Sequence, residues 1–594
     1  MIRTPLRPLA RILKAREKGE DTGAIEAENL RLRHESVRDK SRMRAEGRLL
    51  VLGGMFVLAF GAIGMRMGAL AGTPAEEPQT ATAGNPIIGQ RADIVDRNGR
   101  ILATNLDTYS LYAQPQEMVD PARIASELAK MFPDLEEEAL LKSFSGKRKF
   151  AWVRRQLSPE QMQAVHDLGS PGLLFGPREM RLYPNGAIAG HILGGASYGR
   201  EGVSSAEVIG VAGVERKFDD FLRDPANEGE PLQLSIDLTV QAAAEEVLAG
   251  GMSLMNAKGA ASVLMDVYTG EIISMVSLPD FDPNNRPQVL LTGDQTDSPL
   301  FNRAVQGVYE LGSVFKIFAI AQGLELGLVT PDTIIDIRGP LKWGRFSLTD
   351  FSNYGAELST TDVIVKSSNI GTARIAMEIG SERQQDFLRS LGFMEATPVE
   401  LQEGPTGRPL LPEKWTELST MTISYGHGLS SSPLHLATGY ASLLNGGTRV
   451  EPTLLRRDTP QTGPRVVSEQ TSRQAREMLR QVVVRGTASF GEVEGYEVGG
   501  KTGTADKPKE NGGGYYDDKV ITTFASVFPA NDPKYVLIVT FDEPSENSGS
   551  KPRRTAGWTA VPVAAEMIRR IAPLLGLRPQ VDSSEPIGVT LTSN

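Results

Sequence analysis

Glu310-Leu311-Gly312-Ser313-Val314-Phe315-Lys316-Ile317-Phe318-Ala319-Ile320 sets a serine and a lysine three residues apart at the head of an apolar run. The pattern predicts a helix N-terminus leading into a buried helix. Residues three apart share a helix face, so Ser313 and Lys316 fall within reach of each other. A serine hydroxyl is a weak nucleophile until a base takes its proton. A lysine among apolar helical neighbours loses hydration, and its pKa falls towards a neutral, basic amine. The free N–H groups and positive potential of the helix N-terminus favour negative charge developing there.

Alone, this tetrapeptide says little. A Ser-x-x-Lys is expected by chance about two or three times in a chain of this length at average composition. Ser548-Gly549-Ser550-Lys551, in a polar stretch, is a second instance. Two further motifs follow in order. Ser367-Ser368-Asn369 lies between the apolar Val363-Ile364-Val365 and a helical pattern from Ile370 to Met377, and is expected to be a short loop between helices. Lys501-Thr502-Gly503-Thr504 follows Gly499-Gly500; its Thr/Gly alternation suits a strand that another backbone can approach closely. Order, wide gaps and local context together describe a serine acyl-transfer site whose base is lysine.

Other chemistries find no footing. Gly495 to Thr502 satisfies the phosphate-loop pattern G-x-x-x-x-G-K-[ST], but no buried strand precedes it and Ala505–Gly514 cannot be a helix, so nucleotide binding is rejected. Cysteine is absent, which excludes disulfides, thiol catalysis and thiolate metal sites. The five histidines (His34, His166, His191, His427, His435) show no metal-ligand spacing, and no Gly-x-Ser-x-Gly elbow occurs. No metal and no cofactor is expected.

Residues 1–48 hold 13 Lys and Arg against 8 Asp and Glu, while the whole chain carries −10. That basic segment precedes Leu49–Met65, an uncharged apolar run of about 26 Å as a helix. With Arg66 snorkelling, the run extends to residue 70. The charge bias predicts a single-pass anchor with a cytoplasmic N-terminus. Ala69-Leu70-Ala71 resembles a cleavage site, but the preceding basic region is too long for a signal peptide. The basic segment carries no aromatic interleaving, so it is not a nucleic-acid-binding domain.

The chain is divided into a cytoplasmic basic tail (1–48), an anchor (49–70), a linker (71–88), an α+β pedestal (89–228), a catalytic domain (229–578) and a disordered tail (579–594). Pedestal expectations are a hairpin, Ala92–Val95 with Arg100–Ala103, and a helix over 121–141. Beyond 229 the reading is a helix over 240–248, strands at 260–266 and 271–276, a helical middle over 313–445, strands at 499–505, 520–528 and 535–541, and a helix over 560–571. Strands at both ends imply an α+β fold whose one antiparallel sheet is flanked by helices.

These residues resemble the class B penicillin-binding proteins, membrane-anchored DD-transpeptidases that cross-link peptidoglycan. The resemblance extends to Arg91-Ala92-Asp93-Ile94-Val95-Asp96-Arg97-Asn98-Gly99, Gly213-Val214-Glu215, Phe218-Asp219, Asp266–Glu271, Asn302-Arg303-Ala304 and Gly426-His427-Gly428. The Ser-Ser-Asn and Gly-His-Gly variants resemble the division type. Leu311 stands where the family has Pro, and Ala92 where it has Gly; neither is expected to touch a reacting group. The resemblance implies a penicillin-binding/serine-transferase fold, a site in the periplasm of an inner-membrane protein, and a role in septal wall synthesis. It implies that Ser313 is acylated by stem peptides ending in D-Ala-D-Ala and by β-lactams, with Lys316 as base. It further implies that Ser367 and Asn369 relay protons and hold the substrate amide, and that Lys501 tunes the site. Thr502, Gly503 and Thr504 would bind substrate, with the Ser313 and Thr504 N–H groups as oxyanion hole. The implied partners are a SEDS-type glycan polymerase and other divisome membrane proteins. The alternatives on the same motifs are a β-lactam sensor or non-catalytic scaffold, and a DD-carboxypeptidase or β-lactamase.

Overall fold

The computed structural model describes residues 7–72, 91–145, 148–201, 206–509 and 513–580. The expected linker and C-terminal tail fall almost wholly outside them. The chain divides into two units, one ending at Ile87 and one beginning at Ile88.

The first unit is helical: Arg7–Glu17, then a 51-residue helix, Thr22–Gly72. Helix therefore begins well before the expected anchor. Good helix formers and an Arg31–Glu35 pair at i,i+4 carry it through the charged part. Within it, Glu46–Met65 is a 20-residue segment long and apolar enough to cross a membrane.

In the second unit a five-stranded antiparallel sheet sits at the centre. Its strands are β1 (Gly259–Asp266), β2 (Ile272–Leu278), β3 (Gly499–Pro508), β4 (Tyr515–Phe528) and β5 (Tyr535–Asp542), in the order β3-β4-β5-β1-β2. The sheet is thus closed by strands from both ends of the domain, as expected. β1, β2 and β5 are buried almost throughout, which explains their near-continuous apolar sequences. Leu238–Leu254 and Ala560–Leu574 pack against one another and on this sheet. The middle of the domain is less uniformly helical than expected. Four short strands between Ile334 and Ser359 form two separate two-stranded pairs.

The expected hairpin is present: Ile94–Val95 pairs antiparallel with Ile101–Ala113, Ile94 facing Ala103. The helix expected over 121–141 is two helices, Pro121–Met131 and Glu137–Phe144. Pro133 causes the break, because its ring removes a helical N–H and crowds the preceding turn. Leu111, Ile124, Leu128, Phe132 and neighbours form a small separate core. Ala92, Ile94, Leu102, Tyr183 and Val214, by contrast, belong to the large core of the catalytic sheet.

The motifs at Arg91, Glu215 and Asp219 now acquire a physical role. Arg91 donates to Glu215 Oε2 at 2.5 Å and to Asp219 Oδ1 at 2.7 Å; Arg181 donates to Glu215 Oε1 at 2.7 Å. All four side chains are buried. Burial alone would lower the Arg91 pKa, but the Glu215 and Asp219 carboxylates outweigh it and raise it.

Candidate active site

Ser313 lies in a single tight turn, Gly312–Phe315, that runs into the helix Lys316–Glu325. Gly312 holds φ +62°. A Cβ there would lie 2.7 Å from Thr504 O, and a Cβ on Gly503 would lie 2.2 Å from Leu311 O. Two glycines therefore let strand β3 run directly against the serine turn. Leu311 touches this strand through its carbonyl and is otherwise core. Tyr440 OH donates to Val314 O at 2.8 Å and fixes the turn from below. Phe315 and Phe318 pack on Phe393, completing an apolar seat.

Lys316 is fully buried. Its Nζ donates to Ser367 O at 2.5 Å, to Asn369 Oδ1 at 2.7 Å and to Ser367 Oγ at 3.1 Å. Lys501, equally buried, donates to the same Ser367 Oγ at 3.0 Å and to Thr502 O at 3.0 Å. Neither lysine has an ion-pair partner among the described residues. Burial first, and the Lys501 charge second, push Lys316 well below the ordinary lysine range; Asp350 opposes them. Burial brings Lys501 down to about 7. Ser313 Oγ makes no hydrogen bond within the described residues, so it is uncommitted.

Ser367 is the residue on which the two lysines converge. It takes φ +62°, a left-handed conformation costly for a residue with a side chain. It lies between the helices Thr360–Val365 and Asn369–Ile379, the predicted short loop, with Asn369 as the first helical residue. Asp350 holds that loop in place, and nothing in the sequence flagged it. Its carboxylate accepts from Asn369 N at 2.6 Å, Ile370 N at 3.0 Å and Ser368 Oγ at 2.7 Å, satisfying the helix N-terminus. Asn369 Nδ2 donates to Thr349 O at 3.2 Å, which aims Oδ1 at Lys316.

On β3, Thr502 and Thr504 share a face. Thr502 is buried and its hydroxyl lies 2.6 Å from that of Thr487. Thr504 Oγ1 accepts from Ala556 N at 3.0 Å, leaving its own proton free to donate. All the residues singled out from the three motifs thus gather at one place. Ser548 stands apart on an exposed loop, where its hydroxyl accepts from Arg553 at 3.1 Å.

Residues 260–560 match the family model for the penicillin binding protein transpeptidase domain, and residues 86–228 that for the penicillin-binding protein dimerisation domain. The chain is 37% identical to the probable peptidoglycan D,D-transpeptidase FtsI of Caulobacter vibrioides, over 92% of both chains. It is 28% identical to the peptidoglycan D,D-transpeptidase FtsI of Escherichia coli, over 76% of this chain and 79% of that one. Among solved structures it is similar to penicillin binding protein 3 of Mycobacterium tuberculosis complexed with aztreonam. There the TM-score is 0.61 at 26% identity, covering 83% of this chain and 98% of the other.

Proposed function

This chain is a class B penicillin-binding protein with a transpeptidase domain and a dimerisation domain, and on that premise we propose that it is a peptidoglycan D,D-transpeptidase of septal wall synthesis acting through an acyl-enzyme on Ser313. One observation carries the reading. Two fully buried lysines, without carboxylate partners among the described residues, meet on one serine hydroxyl, and Ser313 in the adjoining turn makes no hydrogen bond among those residues. That arrangement favours the neutral form of Lys316 and keeps proton relays short.

Neutral Lys316 takes the Ser313 proton as Oγ attacks the carbonyl of the penultimate D-Ala. The N–H groups of Ser313 and Thr504 receive the developing oxyanion. The proton passes by way of Lys316 and Ser367 to the departing D-Ala nitrogen, and the C–N bond breaks. Asn369 holds the substrate amide. Lys501 supplies positive potential, and the Thr504 hydroxyl, with Thr502 behind it and Gly503 giving clearance, binds the terminal carboxylate. An amine of a neighbouring stem peptide then takes the acyl group. A β-lactam follows the first step and stays on Ser313. Mass spectrometry after labelled penicillin should place the adduct on the peptide holding Ser313; an adduct on Ser367 or Ser548 would overturn the assignment.

The same reading sets the protein in a bacterial inner membrane, with residues 1–48 cytoplasmic, 49–70 spanning, and pedestal and catalytic domains in the periplasm. The span carries Gly53, Gly54, Gly61 and Gly64 on one side. Such a face permits close helix approach, here to a SEDS-type glycan polymerase or another divisome membrane protein. Exchanging the span for a Leu/Ala helix should weaken recovery of the polymerase while penicillin binding persists; unchanged recovery would make the anchor a tether only.

A further inference from the structure

The turn that carries Ser313 has two sides with opposite chemistry. From Lys316 it reaches Ser367, Asn369 and, through Ser367, Lys501. From Glu310 it reaches a different set. Glu310 is 8% exposed, and its carboxylate accepts from Gly428 N at 2.7 Å and from Tyr515 OH at 3.0 Å. Both donors are neutral, and the carboxylate has no cationic partner among the described residues. A buried carboxylate is ordinarily paired with a cation. Its two oxygens also offer more acceptor sites than these bonds use.

The surroundings join this carboxylate to the nucleophile. Gly312 N donates to Gly426 O at 3.1 Å, so the Gly426–Gly428 loop is fastened to the serine turn on one side and to Glu310 on the other. Gly426 has φ +87°, and a Cβ there would lie 2.0 Å from Gly312 O. Between them stands His427, its ring 5.4 Å from Tyr425 and 6.4 Å from Tyr515, with Nδ1 buried and unpartnered among the described residues. Tyr515 is 42% exposed and Gly428 is also at the surface, so solvent reaches the rim of this cluster. Burial and the Glu310 charge push the Tyr515 hydroxyl up to about 12, keeping it a donor.

We propose that Glu310, rimmed by Tyr515 and His427, is the binding site for the acceptor, and that the acceptor arrives as a cationic primary amine. This rests on the reading of Ser313 as the acylated residue. The lysine side suits the carboxylate of the donor peptide, and the Glu310 side suits an ammonium, with aromatic faces adding cation–π attraction. In the transfer step the ammonium gives one proton to the Glu310 carboxylate. The amine lone pair forms the new C–N bond and the ester C–O bond to Ser313 breaks. The second amine proton passes through Lys316 to Ser313 Oγ, and Glu310 releases its proton to solvent.

The test uses an N-acyl-D-alanyl thioester as donor, a peptide with a free side-chain amine as acceptor, and hydroxylamine as a neutral acceptor. Glu310→Gln should acylate with labelled penicillin within about threefold of wild type, while its ratio of aminolysis to hydrolysis falls about tenfold or more, as expected for losing a hydrogen bond to a charged group. Transfer to hydroxylamine should hold. An unchanged ratio would exclude Glu310 as the acceptor site. A common fall in acylation and both transfers would make it only a brace for the serine turn. The wild type gives a second readout independent of folding: an acceptor analogue with hydroxyl in place of the amine should compete about tenfold more weakly or worse, and equal competition contradicts the proposal. A wild type that takes no penicillin label would overturn the Ser313 reading instead.

Discussion

Two sets of buried charge in this molecule are built on opposite plans. In the dimerisation domain, Arg91 and Arg181 meet Glu215 and Asp219, every charge answered by an opposite one. At the turn that carries Ser313, Lys316 and Lys501 are just as buried but, among the described residues, meet only hydroxyl, amide and carbonyl oxygens. Pairing keeps charges charged; burial without pairing removes them. The first cluster therefore holds the fold together. The second pushes both amines below the ordinary lysine range, Lys316 furthest, and Asp350 only partly opposes that shift.

The largest expected effect follows from the lysine side. Lys316→Ala should lower penicillin acylation by about 10²–10⁴, the range for losing a general base. The variant should stay folded, with the cost of its lost buried hydrogen bonds read separately in the melting temperature. Near-normal acylation by a folded variant would erase the distinction between the clusters. Glu215→Ala should do the reverse. It leaves Arg91 and Arg181 without their shared partner and should cost about 3–5 kcal/mol in denaturant unfolding. The molecules that remain folded should acylate at nearly the wild-type rate. If Glu215→Ala left stability unchanged, the ion network would be a bystander.

The sequence made the catalytic trio legible because each motif is short and its chemistry depends on local residue types. The strands of the central sheet were legible for a similar reason, their apolar runs being bounded by clear turns. Asp350 was not. It sits 18 residues before Ser368 in the chain, just past a three-residue strand, and only folding makes it the cap of the helix after Ser367. The pairing of Glu310 with Tyr515 spans 205 residues and left no local mark either. Arg91, Glu215 and Asp219 stood out by resemblance alone; their mutual contact explains why those residue types occur together. The short strands between Ile334 and Ser359 were absorbed into a helical reading because three-residue strands carry too little pattern to detect.

The two clusters also respond to pH in different ranges. Burial alone would raise the Asp219 pKa, but Gly210 N–H and Arg91 lower it, so its contribution to stability is lost only as acid passes through that lowered value. A lysine depressed in the fold binds fewer protons there than in the unfolded chain. Stability from Lys501 is therefore full above 10.5 and declines as pH falls towards about 7. The most direct measurement is a nitrogen NMR titration of the lysine side chains in the folded protein, assigned with Lys316→Ala and Lys501→Ala. Lys316 should stay a neutral amine well below the ordinary lysine pKa, and Lys501 should titrate near 7. A Lys316 ammonium that persists to about pH 10, the ordinary lysine value, would contradict that expectation.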